Sequence, residues 1–240
     1  MDILDLFRYG FLLQILAIIH FIRRRPENWW LWVIILGGGL GALVYLAVEA
    51  LPDFMEPGTR NFFQRRRRIS ELQAVVQQNP SPGNYEELGD LYIESRKWSE
   101  ARACYDKSIS TRTDSVDPFY RRGIAEMELG DFPAAVTDFE QVISKDPNYD
   151  FHRAVGLLAH VYAKTGQPEK ARALFEQANQ RSTLSETQLH YAEFLAGQGD
   201  KEEARQVATS MLQRWPAMPR FQKRRDRPWF RRAKALLKTV

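Results

Sequence analysis

The chain has 240 residues, with 34 basic and 30 acidic side chains and a formal net charge of +4. This length allows a membrane element and one repeat domain of moderate size. The single cysteine, Cys104, excludes an intrachain disulfide and a cysteine-based metal cluster. Arginines cluster at residues 23–25, 65–68 and 220–232. Basic blocks beside hydrophobic segments favour anionic lipid over nucleic acid as a partner.

Two apolar runs predict that residues 1–58 form a two-helix membrane anchor and a linker. The first run covers about residues 6–22, which is near the lower limit for crossing a bilayer, and the second covers about residues 29–51. A signal peptide is the alternative for the first run. We favour an uncleaved transmembrane helix because the N-terminus is acidic and no small-residue cleavage site precedes Arg23.

The second apolar run carries two features that are typical of membrane helices. Trp29, Trp30 and Trp32 stand at its start, where aromatic side chains favour the lipid headgroup layer. Gly37 and Gly41 form a G-x-x-x-G pair, which permits close packing, most simply against the first helix.

Residues 15–52 resemble the N-terminal membrane hairpin of phospholipase D-type proteins such as cardiolipin synthases. The similar features are the arginine-rich turn, the tryptophan cluster and the segment from Gly41 to Leu46. The H-x-K-x-x-x-x-D signature of the catalytic domain in that family is absent from the chain. The resemblance therefore implies an anchor without lipid chemistry.

Residues 59–82 predict a basic helix that caps a repeat domain. Apolar residues follow at helical spacing after a run of four arginines. We predict that this run is a basic cluster facing lipid, and a solvated helix face or stop-transfer flank is the alternative. The cluster comprises Arg65, Arg66, Arg67 and Arg68.

One pattern occurs four times between residues 83 and 217. Small residues at spacings of 34, 36 and 33 are Ala101, Ala135, Ala171 and Ala204. The residues four positions later are Tyr105, Phe139, Phe175 and Ala208, and those five positions earlier are Arg96, Gly130, Gly166 and Gly199. Small residues let two helix backbones approach, and the aromatic one turn later fills the adjacent space.

This pattern resembles the tetratricopeptide repeat (TPR) family, whose unit is two antiparallel helices. The resemblance implies an all-α solenoid in which stacked units bury a continuous core. We predict about four units, at residues 82–115, 116–151, 152–184 and 185–217.

Residues 218–240 predict a basic C-terminal helix. Its apolar face comprises Trp229, Phe230, Ala233, Leu236 and Leu237. We interpret this helix as a cap on the last repeat. Nucleic-acid binding by its arginines and lysines is the alternative, although no recognition motif accompanies them.

In TPR proteins the first helix of each unit lines a concave groove that holds a partner segment, and the resemblance assigns groove positions here. These are Glu86, Asp90, Ile93, Tyr120, Arg121, Ile124, Met127, Arg153, His160, Leu189 and Glu193. Glu86 and Asp90 stand where chaperone-binding members carry Lys and Asn, which argues against a carboxylate clamp. The mixed groove suits a segment with basic and apolar residues.

The sequence contains no catalytic constellation, so we predict a non-enzymatic protein without cofactor, metal or small-molecule substrate. We predict a scaffold that holds a protein partner at the bacterial inner membrane, with the solenoid on the cytoplasmic side. One alternative is a non-catalytic subunit of an envelope-lipid or cell-wall enzyme complex. Another is lipid or nucleic-acid binding through the arginine clusters. The sequence does not identify the partner, the process or the oligomeric state.

Overall fold

The computed structural model describes residues 3–24, 27, 29–50, 57–110 and 113–240. These residues contain 13 α-helices. The chain divides into two compact units, residues 1–70 and 71–240.

The first unit contains three helices, a short π-helix and the start of a fourth helix. They are α1 (Ile3–Arg24), α2 (Trp29–Leu36), α3 (Gly38–Tyr45), the π-helix Leu46–Ala50 and α4 (Pro57–Gln78), which ends in the second unit. The buried residues of its small core are Ala17, Trp30, Ile34, Ala42 and Tyr45. The predicted linker at residues 53–58 and the turn at residues 23–28 lie largely outside the described residues.

The predicted second span of about 23 residues is not one helix. It is divided at Gly37 into two eight-residue helices, followed by the π-helix. A Cβ at Gly41 would lie 2.0 Å from the carbonyl oxygen of Val33, so this break brings backbone against backbone. The contact with α1 is made by a different glycine, because a Cβ at Gly39 would lie 2.8 Å from the Cα of Gly10. No helix within the described ranges has both the length and the apolar content for a membrane crossing.

The described residues of the second unit contain nine further helices, of which the first eight follow one another as four antiparallel pairs. The pairs are α5 (Pro82–Glu94) with α6 (Trp98–Ser108), α7 (Asp117–Leu129) with α8 (Phe132–Lys145), α9 (Tyr149–Lys164) with α10 (Pro168–Arg181), and α11 (Ser185–Gln198) with α12 (Lys201–Gln213). A 3₁₀ turn, Trp215–Ala217, leads to α13 (Arg220–Leu236). Each helix packs on the next, as a solenoid requires. The predicted all-α repeat array is confirmed.

Local signals set where these helices begin and end. The Ser81 side chain caps α5 by accepting a hydrogen bond from the backbone N–H of Asn84. The Asp131 carboxylate accepts in the same way at the start of α8. Gly130 and Gly199 end α7 and α11 in the left-handed conformation, where glycine has no Cβ to clash.

The repeating small and aromatic residues meet as the spacing predicted. All four alanines of the pattern are fully buried, and the three aromatics that follow them are buried as well. A Cβ at Gly89 would lie 2.8 Å from Cζ of Tyr105, and a Cβ at Gly123 would lie 3.0 Å from the Phe139 ring. Each of these two aromatic rings therefore packs directly on the backbone of the first helix in its own unit.

Arg96 occupies the turn position that glycine occupies in the other three units, and its φ is likewise positive, at 56°. A left-handed conformation costs a residue with a side chain about 1–2 kcal/mol. We expect Arg96→Gly to raise the free energy of unfolding by about 0.5–1 kcal/mol in urea titrations. Arg96→Ala is the control, because alanine has the same clash and brings no comparable gain. A loss of stability in Arg96→Gly would contradict this explanation.

Candidate protein-binding groove

The first helices of successive units contact one another, which places them along one face of the solenoid. α5 contacts α7, α9 contacts α11, and α11 contacts α13. Elements on the concave side of a curved solenoid are the more closely spaced, so these helices are the expected lining of the predicted groove. Nine of the eleven predicted groove residues are partly exposed on them.

Asp90 joins the first two units at the acidic end of the groove. Its Oδ1 accepts a hydrogen bond from the Tyr105 hydroxyl at 2.7 Å and lies 3.6 Å from Nε of Arg121. Further along, Asp117 at the start of α7 accepts a hydrogen bond from the Tyr149 hydroxyl. These pairs hold neighbouring first helices in register.

Arg153 is the centre of a second polar cluster that spans three units. Its Nε donates to Oε2 of Glu186 at 2.6 Å, and its Nη1 donates to the Tyr120 hydroxyl at 3.1 Å. The Tyr120 hydroxyl in turn donates to Oδ2 of Asp150 at 2.6 Å. Burial raises the pKa of Tyr120, so the ring remains a neutral donor.

Glu86 differs from these residues because no cation pairs with it in the part of the chain that the structure describes. Partial burial raises the pKa of its carboxyl group, and the nearby negative charges of Asp117 and Asp90 raise it further. Three carboxylates thus concentrate negative potential at this end of the groove.

Two predicted groove residues are not available on its surface. Tyr120 is only 3% exposed because its hydroxyl is tied to Asp150 and its ring packs edge-on against Phe139. Leu189 is fully buried in a small core with Met211 and Phe230, since α13 covers α11 at this point. For the exposed groove residues, a role in binding stays a prediction.

His160, another predicted groove residue, stacks on His190 with ring centroids 4.0 Å apart. Trp229 of α13 packs edge-on against His190, and Arg232 pairs with Glu193 at 2.7 Å. Burial lowers the pKa of His160 to about 4, assisted by Lys164 and Arg232. Burial also lowers the pKa of His190, and the neighbouring His160 and Arg232 contribute. The pair therefore remains neutral at pH 7 and acts as packing for the C-terminal cap.

Two models of the family described as "Tetratricopeptide repeat" match this chain, over residues 88–158 and 157–219. Together they cover more than half of it. The chain belongs to the tetratricopeptide repeat family. Neither model reaches residues 15–52, so the resemblance of that segment to the phospholipase D-type hairpin finds no support here.

Similar solved structures share the fold of this TPR protein at low identity. MamA from Desulfovibrio magneticus RS-1 has a TM-score of 0.57 at 18% identity, over 65% of this chain and 89% of that one. TTC0263 from Thermus thermophilus has a TM-score of 0.57 at 16% identity, over 79% and 99%. YrrB, described as a TPR protein with an unusual peptide-binding site, has a TM-score of 0.55 at 15% identity, over 65% and 81%.

A curated relative is similar over one part of the chain only. Tetratricopeptide repeat protein 37 of Xenopus laevis is 25% identical over 87 residues, or 36% of this chain. The match spans 6% of the length of that protein.

The TPR register also explains which groove residues the sequence analysis missed. Asp117 and Glu186 occupy the position of Arg153 in the second and fourth units, so aligning the repeats on Arg153 would have found them. Tyr149 and Asp150 lie where the chain enters α9. Asp150 has φ 49° and ψ 48°, which helical periodicity does not predict.

The neutral histidine pair of this TPR protein predicts a loss of stability in acid. Because the folded-state pKa values lie below the ordinary value of about 6.5, the stabilisation is fully present above that pH and is lost as pH falls towards 4. We expect the free energy of unfolding to fall by about 1–2 kcal/mol between pH 7 and pH 5. His190→Leu should show a smaller fall in urea titrations. An equal fall in the variant would contradict this role of the pair.

The basic cluster, metal binding and Cys104 are the remaining features that the sequence analysis considered. Arg65–Arg68 lie on α4, where the last three are exposed, and their contact with lipid stays a prediction. Within the described residues, no three histidine, cysteine or acidic side chains are grouped so that they could hold a metal ion. Burial raises the pKa of the Cys104 thiol to about 11, so this cysteine is not a reactive thiolate.

Proposed function

We propose that this TPR protein is a scaffold that binds a basic and apolar segment of a protein partner in its concave groove. The observation that carries the proposal is the Glu86 carboxylate. It forms no ion pair with a cation among the described residues, and it lies near Asp90 and Asp117 at one end of the groove. A lysine or arginine of the partner would neutralise this charge and gain a charge-assisted hydrogen bond.

The rest of the groove supports such a segment. Ile93, Ile124 and Met127 are partly exposed along the first helices and offer apolar contacts beside the acidic end. The hydrogen bonds around Arg153 fix the surrounding helices before a partner arrives, which lowers the entropic cost of binding. The complementary shape is an amphipathic helix of a few turns or an extended segment.

We further propose that the first unit attaches the scaffold to the bacterial inner membrane. The support is the density of exposed apolar side chains in that unit, among them Phe11, Leu16, Trp32, Leu36 and Leu40. Large apolar patches on a surface mark sites of protein or membrane contact. Attachment would concentrate the groove near membrane partners and so permit modest affinity.

The groove proposal is tested by in-cell crosslinking and mass spectrometry of the full-length protein. The variant Glu86→Lys reverses the charge of this carboxylate and should lose the crosslinked partner. Glu169→Lys makes the same change at an exposed position on α10, outside the first helices, and should retain it. Equal recovery of partners by the two variants would overturn the groove proposal.

The membrane proposal has a separate test. The protein carrying Leu16→Ser, Leu36→Ser and Leu40→Ser should move from the membrane fraction to the soluble fraction of the cell. Retention of that variant in the membrane fraction would overturn attachment through these side chains, and so would recovery of the wild type in the soluble fraction. Neither result bears on the groove.

A further inference from the structure

A cavity of about 820 Å³ lies at one edge of the repeat array. Three separate segments line it: the entry to α9, the connection between α10 and α11, and the connection from α12 into α13. None of the eleven predicted groove residues is part of its lining.

The lining carries more positive than negative charge. It includes Arg181, Arg214, Arg225 and the carboxylate of Asp226. Asp226 is committed to partners already, because its Oδ1 accepts from Nε of Arg225 at 2.6 Å and its Oδ2 accepts from the Ser185 hydroxyl at 3.0 Å. Asp226 therefore neutralises Arg225, and it does not neutralise Arg181 or Arg214.

Arg214 is a half-buried cation without a carboxylate in ion-pair range, as far as the described residues extend. Its guanidinium donates to the carbonyl oxygen of Thr183 at 2.6 Å and to the side-chain oxygen of Gln188, and its Nε is buried without a partner. Arg181, which is exposed, likewise has no ion-pair partner in the described part of the chain. A half-buried charge that only neutral oxygens contact is costly, and an anion would offset that cost.

An apolar wall stands beside these cations. Phe151 is 83% exposed although it is a large apolar residue, and Leu184 and Met218 also line the cavity. Phe151 is held outward by a left-handed turn in which Asp150, Phe151 and His152 all have positive φ. Consecutive non-glycine residues in this conformation are strained, and such strain persists where the surroundings enforce it, often at binding sites.

We propose that this cavity binds a carboxylate of a peptide, with an adjacent apolar side chain of that peptide against Phe151. Arg181 and Arg214 hold the carboxylate, since two guanidinium groups match its geometry and charge. The volume fits a segment of a few residues. The carboxylate comes from a peptide C-terminus or from an acidic side chain. This acidic ligand differs from the basic segment proposed for the groove, so the two sites take different peptides.

The test uses detergent-purified full-length protein and synthetic hexapeptide libraries randomised over apolar residues. One library has free C-terminal carboxylates, a second has amidated C-termini with one internal glutamate, and a third has amidated C-termini without an acid. Immobilised protein should retain the first or the second at least about tenfold over the third, because a charge-assisted hydrogen bond contributes about that factor. Which of the two is retained identifies the source of the carboxylate.

Variants locate the binding. Arg181→Glu should lose the preference for acidic libraries, and it should fold normally because Arg181 is exposed. Arg231→Glu, an exposed arginine of α13 outside the cavity lining, should keep the preference. The groove variant Glu86→Lys should also keep it. The proposal is overturned if no acidic library is preferred, if Arg181→Glu retains the preference, or if Glu86→Lys loses it. Retention of a single-stranded oligonucleotide in place of the peptides would also overturn it.

Discussion

Phe139→Ala is expected to lower the free energy of unfolding by about 3–5 kcal/mol. Phe139 is fully buried, and its ring packs on the backbone of α7 at Gly123, where a Cβ would lie only 3.0 Å away. Backbone cannot move in to fill the space, so a cavity remains. Urea titration of the full-length protein, followed by circular dichroism, measures the loss.

Phe221→Ala is the matched control, because Phe221 is largely exposed on α13. It should change the free energy of unfolding by about 0.5 kcal/mol or less. Similar losses in the two variants would mean that the aromatic of the repeat pattern is not a core residue.

Arg122→Leu is expected to lower the free energy of unfolding by about 3–5 kcal/mol, because it leaves buried carboxylates without their cation. Arg122 holds Asp138 through two hydrogen bonds of 2.8 Å each and Asp106 through one of 2.9 Å. Asp138 and Glu126 are both buried beside it. Burial, together with Asp138, already raises the pKa of Glu126 to about 7.

The sign of the pH dependence follows from these carboxyl groups. Arg122 lowers the pKa of Glu126, so without Arg122 the folded-state pKa of Glu126 rises further and folding takes up protons as pH falls. The deficit of Arg122→Leu relative to the wild type should therefore be smaller at pH 5 than at pH 7. Arg102→Leu removes an exposed ion pair with Asp131 and should cost about 1 kcal/mol or less at both pH values. A deficit in Arg122→Leu that does not depend on pH would contradict the role of the buried carboxylates.

The repeat array could be predicted from sequence because its determinants are local and periodic. The spacing from Ala101 to Ala204 placed four helix pairs, and the glycine at three of the four turns marked where a first helix ends. The contact between Gly123 and Phe139 also follows from spacing alone, since both residues belong to one unit.

The features that sequence reasoning missed depend on contacts between units or on unusual backbone. Leu189 lies on the face of α11 that α13 covers, and the Tyr120 hydroxyl is tied to Asp150 at the start of α9. The interruption at Gly37 was hidden because glycine is also common in uninterrupted membrane helices. The arginine-lined cavity draws on three distant segments, so no window of sequence contains it.

The central claim, that a protein partner lies in the concave groove, is tested most directly by a photo-crosslinking residue in the living cell. We would replace Ile93, which is partly exposed on α5, by p-benzoylphenylalanine, and make the same replacement at Glu169 on α10. The account predicts that one partner protein is crosslinked from position 93 and not from position 169, and that adding Glu86→Lys abolishes that crosslink. The same products from both positions, or a crosslink from position 93 that survives Glu86→Lys, would contradict it.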